Sequence, residues 1–185
     1  MKNRNITLFG MSGAGKTFIG KKLAERLGLE FVDSDALLSL YFGARSIQSI
    51  LEELGDQNYI LTEGDVHMAY IDGRDNMLLS PGGSVVYNQV WVDYLKKISK
   101  VIYLKVPYRV IEERNRNAPP HAIVGLGKKS LRELYDERHP KYAAAADFTI
   151  EPDGRPLEDV LSEIGRYLNS QSLRSLFPDN AENKW

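Results

Sequence analysis

The eight residues from Gly10 to Thr17, with the sequence GMSGAGKT, most constrain what this chain can fold into. They have the form G-x-x-x-x-G-K-[ST], a loop whose backbone N–H groups surround a phosphate. The mostly apolar residues 6–9 precede the loop and predict a strand. Residues 18–27 follow it with apolar side chains at helical spacing. A strand before and a helix after are the context that this loop requires, so the sequence predicts a nucleotide-phosphate site.

The residue types of the loop suit a nucleoside triphosphate with a magnesium ion. Glycines let successive N–H groups point at one anion, and the start of the following helix adds a favourable dipole. Lys16 can reach the β- and γ-phosphates, and the Thr17 hydroxyl can join a Mg²⁺ shell. We therefore expect ATP and Mg²⁺ as cofactors. The expected nucleotide contacts are Gly10, Ser12, Gly13, Ala14, Gly15, Lys16, Thr17 and Phe18.

Composition narrows the class of protein further. The 185 residues are 43% hydrophobic, which fits one compact domain with a core. A net charge of −1 predicts no broad attraction to nucleic acid or to an anionic membrane, and the lack of cysteine excludes disulfides and thiolate metal sites. We see no signal peptide and no apolar run of membrane-spanning length, so we expect a cytoplasmic protein, most simply a monomer.

Strands alternate with helices along the chain, which predicts an α/β fold with a central parallel sheet and helices on both faces. The five predicted strands cover residues 5–9, 29–32, 76–79, 101–106 and 148–150. Residues 117–129 contain prolines and glycines and are interpreted as a mobile loop, and residues 170–185 as a polar tail. Ligands bind at the carboxyl ends of the strands in such sheets.

Two of these strand ends hold residues that suit chemistry. Asp33 and Asp35 follow the second strand. One of them can simply cap the next helix, or one can serve Mg²⁺ while the other orients an acceptor hydroxyl and accepts its proton. Gly82 and Gly83 follow the third strand. They form either an ordinary turn or a place where backbone N–H groups approach a substrate. Lys16 and Asp35 are the candidate catalytic residues.

Basic residues in the second half of the chain are further candidates. Lysines and arginines flank the 117–129 loop, which can act as a lid and supply charge to a triphosphate, although each can equally be a solvated charge. Arg138 stands in the sequence RHPKY, where Pro140 is expected to interrupt a helix. This arginine makes either a surface salt bridge or a bidentate contact with an anionic group of the substrate.

The order of these motifs resembles the shikimate kinases, members of the nucleoside-monophosphate-kinase-like P-loop group, over residues 4–168. The resemblance implies a single-domain P-loop kinase over residues 1–169 with a lid at about 117–129. It implies that Asp33 serves Mg²⁺ through water, that Asp35 binds the shikimate hydroxyls, and that Arg138 pairs with the shikimate carboxylate. By the same resemblance Arg114 lies against the adenine, and Gly82 and Gly83 contact the substrate.

Three positions depart from the family pattern. Ile60 stands where the family has an arginine that is a second carboxylate ligand, Pro81 where it has a glycine, and His121 where the lid has an arginine. A hydrogen bond to a charged group is worth about 1.5–3 kcal/mol, so the change at Ile60 alone could weaken the binding of an anionic substrate about ten- to a hundredfold.

The interpretation that follows is ATP-dependent phosphoryl transfer to a hydroxyl of a small, anionic molecule, most like the conversion of shikimate to shikimate 3-phosphate. Two alternatives stay open. The acceptor can be another cyclitol or a sugar acid, or the protein can bind nucleotide without kinase activity. The presence of both Asp33 and Asp35 favours chemistry, because a binding module has no need of the acceptor-side Asp35.

Overall fold

A computed structural model describes residues 5–119 and 121–170. Five parallel strands form one sheet in the order β2-β3-β1-β4-β5, which confirms the predicted α/β class and the number of strands. The strands are β1 (Asn5–Phe9), β2 (Glu30–Asp33), β3 (Met77–Ser80), β4 (Ser99–Leu104) and β5 (Phe148–Ile150). Most of the predicted tail, residues 171–185, lies outside the described residues.

Seven α-helices are found in the described part of the chain, and they cover the sheet. They are α1 (Lys16–Leu27), α2 (Ser34–Tyr41), α3 (Ile47–Ile71), α4 (Gln89–Ile98), α5 (Tyr108–Asn117), α6 (Leu131–Ala145) and α7 (Leu157–Ser170). A short 3₁₀ turn at Val85–Tyr87 precedes α4. Among these helices none is long and apolar enough to cross a bilayer.

Several strand bounds differ from the prediction by one or two residues, and two differences from the prediction have a clear physical reason. The fourth strand begins at Ser99 rather than at 101, because Ser99 and Lys100 pair with the first residues of β1. The expected interruption at Pro140 does not occur, and α6 continues through the proline. Buried side chains at Arg138 and Tyr142 hold α6 against the rest of the protein on both sides of Pro140. A kink is present instead at Gly55 inside α3, where φ is 71°.

The apolar interior consists of two clusters. The larger cluster surrounds the sheet and includes nearly every buried apolar side chain of β1, β3 and β4. The smaller cluster lies under α2, the first half of α3 and the loop between α5 and α6, and its buried members are Leu38, Ile50, Tyr59, Ile60 and Val124. The carboxyl ends of β1, β2 and β3 open between the two clusters, so a cavity forms there.

Candidate functional site

The central cavity, with a volume of about 360 Å³, joins the Gly-rich loop to the other predicted strand ends. Its lining from the first half of the chain is Ser12, Gly13, Gly15, Lys16, Thr17, Phe18, Asp33, Asp35 and Tyr59. Its remaining lining is Ser80, Pro81, Gly82, Gly83, Ser84, His121, Ala122, Ile123, Val124 and Arg138. The structure thus brings together in one space most of the residues that the sequence predicts for the site.

The loop between β1 and α1 adopts the shape that a phosphate requires. Gly15 precedes α1 with φ 90°, a conformation that only glycine adopts readily. The Lys16 ammonium curls back and donates to the carbonyls of Gly10 (2.9 Å) and Met11 (3.2 Å). Burial lowers the pKa of Lys16, while Asp35 and Asp33 oppose that shift. A phosphate entering the loop would give this ammonium a stronger partner than two carbonyls.

The phosphate loop is held in place by buried residues of its own and by contacts from α5. Within the loop, Gly10 and Ala14 are buried. Arg114, predicted to contact the adenine, donates from Nη1 to the Gly13 carbonyl at 2.9 Å and lies 3.6 Å from the Asp153 carboxylate. Asn115, which the sequence did not single out, donates to the Ser12 carbonyl at 3.0 Å. The last turn of α5 therefore fixes the outer side of the loop.

Asp33 makes the helix cap that the sequence left as one alternative, and its second carboxylate oxygen is hydrogen-bonded to Thr17. Its Oδ1 caps α2 by accepting from the backbone N–H of Asp35 at 3.1 Å, and its Oδ2 accepts from the Thr17 hydroxyl at 3.0 Å. Within residues 5–119 and 121–170 there is no cluster of three or more histidine, cysteine or acidic side chains that could hold a metal on its own. Magnesium in phosphate sites takes one or two protein oxygens and completes its shell with phosphates and water, so the Thr17–Asp33 pair fits Mg²⁺.

The Asp35 carboxylate lines the central cavity. Protein atoms surround it there, but the side chain remains accessible to solvent. Partial burial, followed by repulsion from Glu63 and Asp33, raises the pKa of Asp35 to about 6, and Lys16 and His121 oppose the shift. A carboxylate with a pKa close to the working pH is well suited to accept a proton from a hydroxyl.

Glu63, which the family resemblance places in the segment that binds substrate, lies beside the central cavity. It is 1% exposed and accepts from Ser34 Oγ at 2.5 Å, from the Gly82 N–H at 2.9 Å and from Ser84 Oγ at 3.3 Å. A Cβ on Gly82 would lie 2.6 Å from a Glu63 oxygen, so only glycine fits. The Gly82 N–H is thus already used inside the protein. The local sequence signal for Glu63 was a single carboxylate on the buried face of a helix.

Arg138 is buried at 1% exposure and lines the central cavity, so the surface salt bridge is excluded. Its Nη2 donates to the Val124 carbonyl at 2.5 Å, and its Nε donates to the Tyr87 hydroxyl at 3.2 Å. Tyr142, one turn along α6, donates to the Gly83 carbonyl. Two donors of the guanidinium thus hold its surroundings, and a further hydrogen bond joins the guanidinium to the Tyr142 side chain.

The loop between α5 and α6, which we call the lid, is fastened both to the phosphate loop and to α3. His121 Nε2 lies 2.8 Å from Ser12 Oγ. The Gly125 N–H and the Lys128 ammonium both donate to the Asp56 carboxylate, at 3.2 and 2.6 Å. Outside this contact, Lys129 pairs with Glu137 and Arg116 with Glu112. These ion pairs argue against the predicted supply of charge to a triphosphate by the basic residues that flank the lid.

Ile60, which stands where the family has an arginine, is packed in the apolar interior. Ile60 is 9% exposed and packs in the smaller cluster, and its neighbour Tyr59 lines the central cavity. Among the described lining residues, Arg138 supplies the one guanidinium.

Comparison with known proteins shows which family this sequence and this fold are similar to. A family model described as shikimate kinase matches residues 12–169. A shikimate kinase of Francisella philomiragia is 29% identical over 94% of this chain and 99% of its own length. A structure of the Acinetobacter baumannii shikimate kinase in complex with shikimate has a TM-score of 0.79 at 32% identity, covering 92% of this chain and 96% of that one. The Aquifex aeolicus shikimate kinase has a TM-score of 0.74 at 26% identity, covering 91% and 98%.

Proposed function

The chain belongs to the shikimate kinase family, and we propose that it transfers the γ-phosphoryl group of ATP to a hydroxyl of shikimate, releasing ADP and shikimate 3-phosphate. One observation supports this proposal above the others. The phosphate loop with Lys16, the carboxylate of Asp35 and the guanidinium of Arg138 line the same cavity. Phosphoryl transfer needs these three elements close together, because catalysis of this reaction is mostly positioning and charge stabilisation.

The nucleotide half of the cavity would neutralise the triphosphate. Loop N–H groups would surround the β-phosphate, and Lys16 would exchange its two carbonyl partners for phosphate oxygens. Thr17 and Asp33 would hold Mg²⁺ directly and through water, and the ion when bound would offset the charge on the phosphates.

The acceptor half would bind and activate the hydroxyl. Asp35 would accept its proton as the new P–O bond forms, and the shift of the Asp35 pKa to about 6 makes that transfer easier near neutral pH. Arg138 would direct its remaining N–H groups at the carboxylate of the acceptor. The lid, held near the phosphate loop through His121 and Ser12, would exclude water that competes with the acceptor.

A second acceptor is favoured by one specific observation, the apolar packing of Ile60 where the resemblance implies a second arginine. With one guanidinium described in the lining, a polyhydroxylated small molecule that depends less on a carboxylate for binding than shikimate does would suit the cavity. Another cyclitol or a sugar acid has that chemistry.

We also propose that the protein acts in the cytoplasm and as a monomer.

The experiment that tests the proposal is ADP release from Mg-ATP in the presence of shikimate and of a panel of cyclitols and sugar acids. We expect shikimate to stimulate ADP release well above the rate with water alone, and Asp35→Asn to abolish the stimulation. Stimulation by another acceptor alone would replace the substrate but keep the reaction. Nucleotide binding without stimulation by any compound would support the binding role instead.

A further inference from the structure

We propose that His121 is a proton-dependent ligand of the terminal phosphate of the bound nucleotide, so that tight triphosphate binding by this chain is coupled to proton uptake by the lid. The inference rests on the proposed function. It starts from a lid side chain whose ring nitrogen contacts the phosphate loop, that of His121, which is one of three histidines in the chain.

The hydrogen bonds of the imidazole fix where its protons lie. Nδ1 is 3.0 Å from the Pro119 carbonyl, which can only accept, so Nδ1 bears a proton. Nε2 is 2.8 Å from the Ser12 hydroxyl, which can donate or accept. Nε2 is therefore the nitrogen whose protonation can change, and it is directed at the phosphate loop.

The location of Nε2 is the terminal-phosphate end of the loop. Lys16, which reaches the β- and γ-phosphates in loops of this form, points its ammonium at the carbonyls of Gly10 and Met11, directly before Ser12. A γ-phosphate bound by Lys16 would thus lie beside Ser12 and within reach of Nε2. The two lid lysines are paired elsewhere, Lys128 with Asp56 and Lys129 with Glu137.

The charge on the imidazole decides whether that contact is favourable. A neutral ring presents a lone pair at Nε2 and repels a phosphate oxygen, whereas the imidazolium donates a charge-assisted hydrogen bond. Charged groups from every neighbouring element bear on this balance. The anionic groups that share a cavity with His121 are Asp33, Asp35, Glu52 and Asp56, and the cationic groups are Lys16, Lys128 and Arg138.

The test is the affinity for a non-hydrolysable ATP analogue with Mg²⁺, measured by calorimetry from pH 5.5 to 8.5 for the native protein and for His121→Gln. The informative quantity is the ratio of the two dissociation constants, because ionisation of the nucleotide and of Asp35 affects both proteins. We expect the dissociation constant of His121→Gln, divided by that of the native protein, to rise about tenfold from high to low pH, because only the imidazolium donates a charge-assisted hydrogen bond to the phosphate. Calorimetry in buffers of different ionisation enthalpy should show proton uptake that His121→Gln loses.

Two variants sharpen the result. His121→Arg carries a permanent charge, so it should bind the analogue tightly at high pH and abolish the proton uptake. His139→Gln is the matched control, since His139 contacts Tyr103 and lies in a different hydrogen-bond network, and it should leave the pH profile unchanged. The same series with ADP should show a smaller dependence, since ADP lacks the γ-phosphate.

The possible failures are separable. A ratio that is flat with pH in a protein that binds the analogue would overturn the role of His121 and leave the kinase proposal untouched. A pH-dependent ratio in a protein that phosphorylates no acceptor would support the role of His121 and count against the proposed reaction. Absence of binding at every pH would overturn both.

Discussion

The two halves of the central cavity are built on different parts of the molecule. The phosphate loop extends from β1, whose five residues are all buried in the middle of the sheet, and it rests on the larger apolar cluster. The acceptor half is formed by α2, α3 and the lid over the smaller cluster, with five buried apolar members. Of the three departures from the family pattern, Ile60 lies in α3 and His121 in the lid, whereas Pro81 directly follows β3. The scaffold of the first half is thus coupled to the whole core, whereas the second half can change with less cost to the fold.

Removal of the Asp35 carboxylate should have the largest effect on activity. It should also distinguish the acceptor half of the cavity from the nucleotide half most clearly. In Asp35→Asn the acceptor hydroxyl loses its proton acceptor, so we expect kcat to fall about 10²- to 10⁴-fold. The dissociation constant of the ATP analogue should change little, because Lys16 and the loop remain. Steady-state kinetics and calorimetry measure the two quantities, and a kcat within a few fold of the native value would exclude Asp35 from the chemistry.

Arg138→Met should raise KM for the acceptor about ten- to a hundredfold, since a charged hydrogen bond of about 1.5–3 kcal/mol is lost. KM for ATP should change much less. Arg132→Met is the matched control, because Arg132 is exposed on the same helix and pairs with Asp136. Equal losses in both KM values would assign Arg138 to fastening the lid through Val124 rather than to holding the acceptor.

Ile60→Arg tests whether the acceptor half lacks only a charge. A long side chain at this position can pack its stem in the smaller cluster and extend its guanidinium toward the cavity beside Tyr59. We then expect KM for shikimate to fall up to about tenfold, with Ile60→Met unchanged. A folded Ile60→Arg protein with unaltered KM would indicate a cavity shaped for a different acceptor.

Lys128→Gln should have a smaller effect, because exposed ion pairs contribute about 0–1 kcal/mol. Loss of the contact with Asp56 should raise KM for the acceptor by about threefold or less, and Lys129→Gln, which breaks only the pair with Glu137, should not. The hydrogen bond from Lys128 lowers the pKa of Asp56. The native contact is therefore present above the ordinary carboxyl pKa and is lost only as the pH falls through the lowered value. Equal KM changes in both variants would contradict a specific role for Asp56.

The carboxylate that we propose as the proton acceptor, Asp35, should also lower the stability of the folded protein. The pKa of Asp35 is raised from 3.8 to about 6 in the folded protein, so the folded state binds this proton more tightly than the unfolded state. The charged form of Asp35 is therefore destabilising above pH 6, and this penalty disappears below about pH 4. Thermal unfolding of nucleotide-free Asp35→Asn should show a small rise in Tm at pH 7.5 and none at pH 4. A lowered Tm at pH 7.5 would mean that the native carboxylate is stabilised by its neighbours.

The contrast between the halves also explains what the sequence could predict. The phosphate loop, β1 and α1 follow one another in the chain, so one local pattern sufficed for them. Glu63 reaches Gly82 across 19 positions and Arg138 reaches Val124 across 14, and no local pattern encodes such contacts. The expected interruption at Pro140 was wrong because tertiary packing of α6 outweighs the missing N–H. Asp33 was left open between a helix cap and a metal contact, because the two oxygens of one carboxylate can serve both.

The most direct test of the account is product analysis after incubation with Mg-ATP and shikimate, using phosphorus NMR or mass spectrometry. We expect one shikimate 3-phosphate for each ADP formed, and none with Asp35→Asn. ADP without phosphorylated shikimate, or phosphorylation of a different acceptor alone, would contradict the proposal that the altered acceptor half still accepts shikimate.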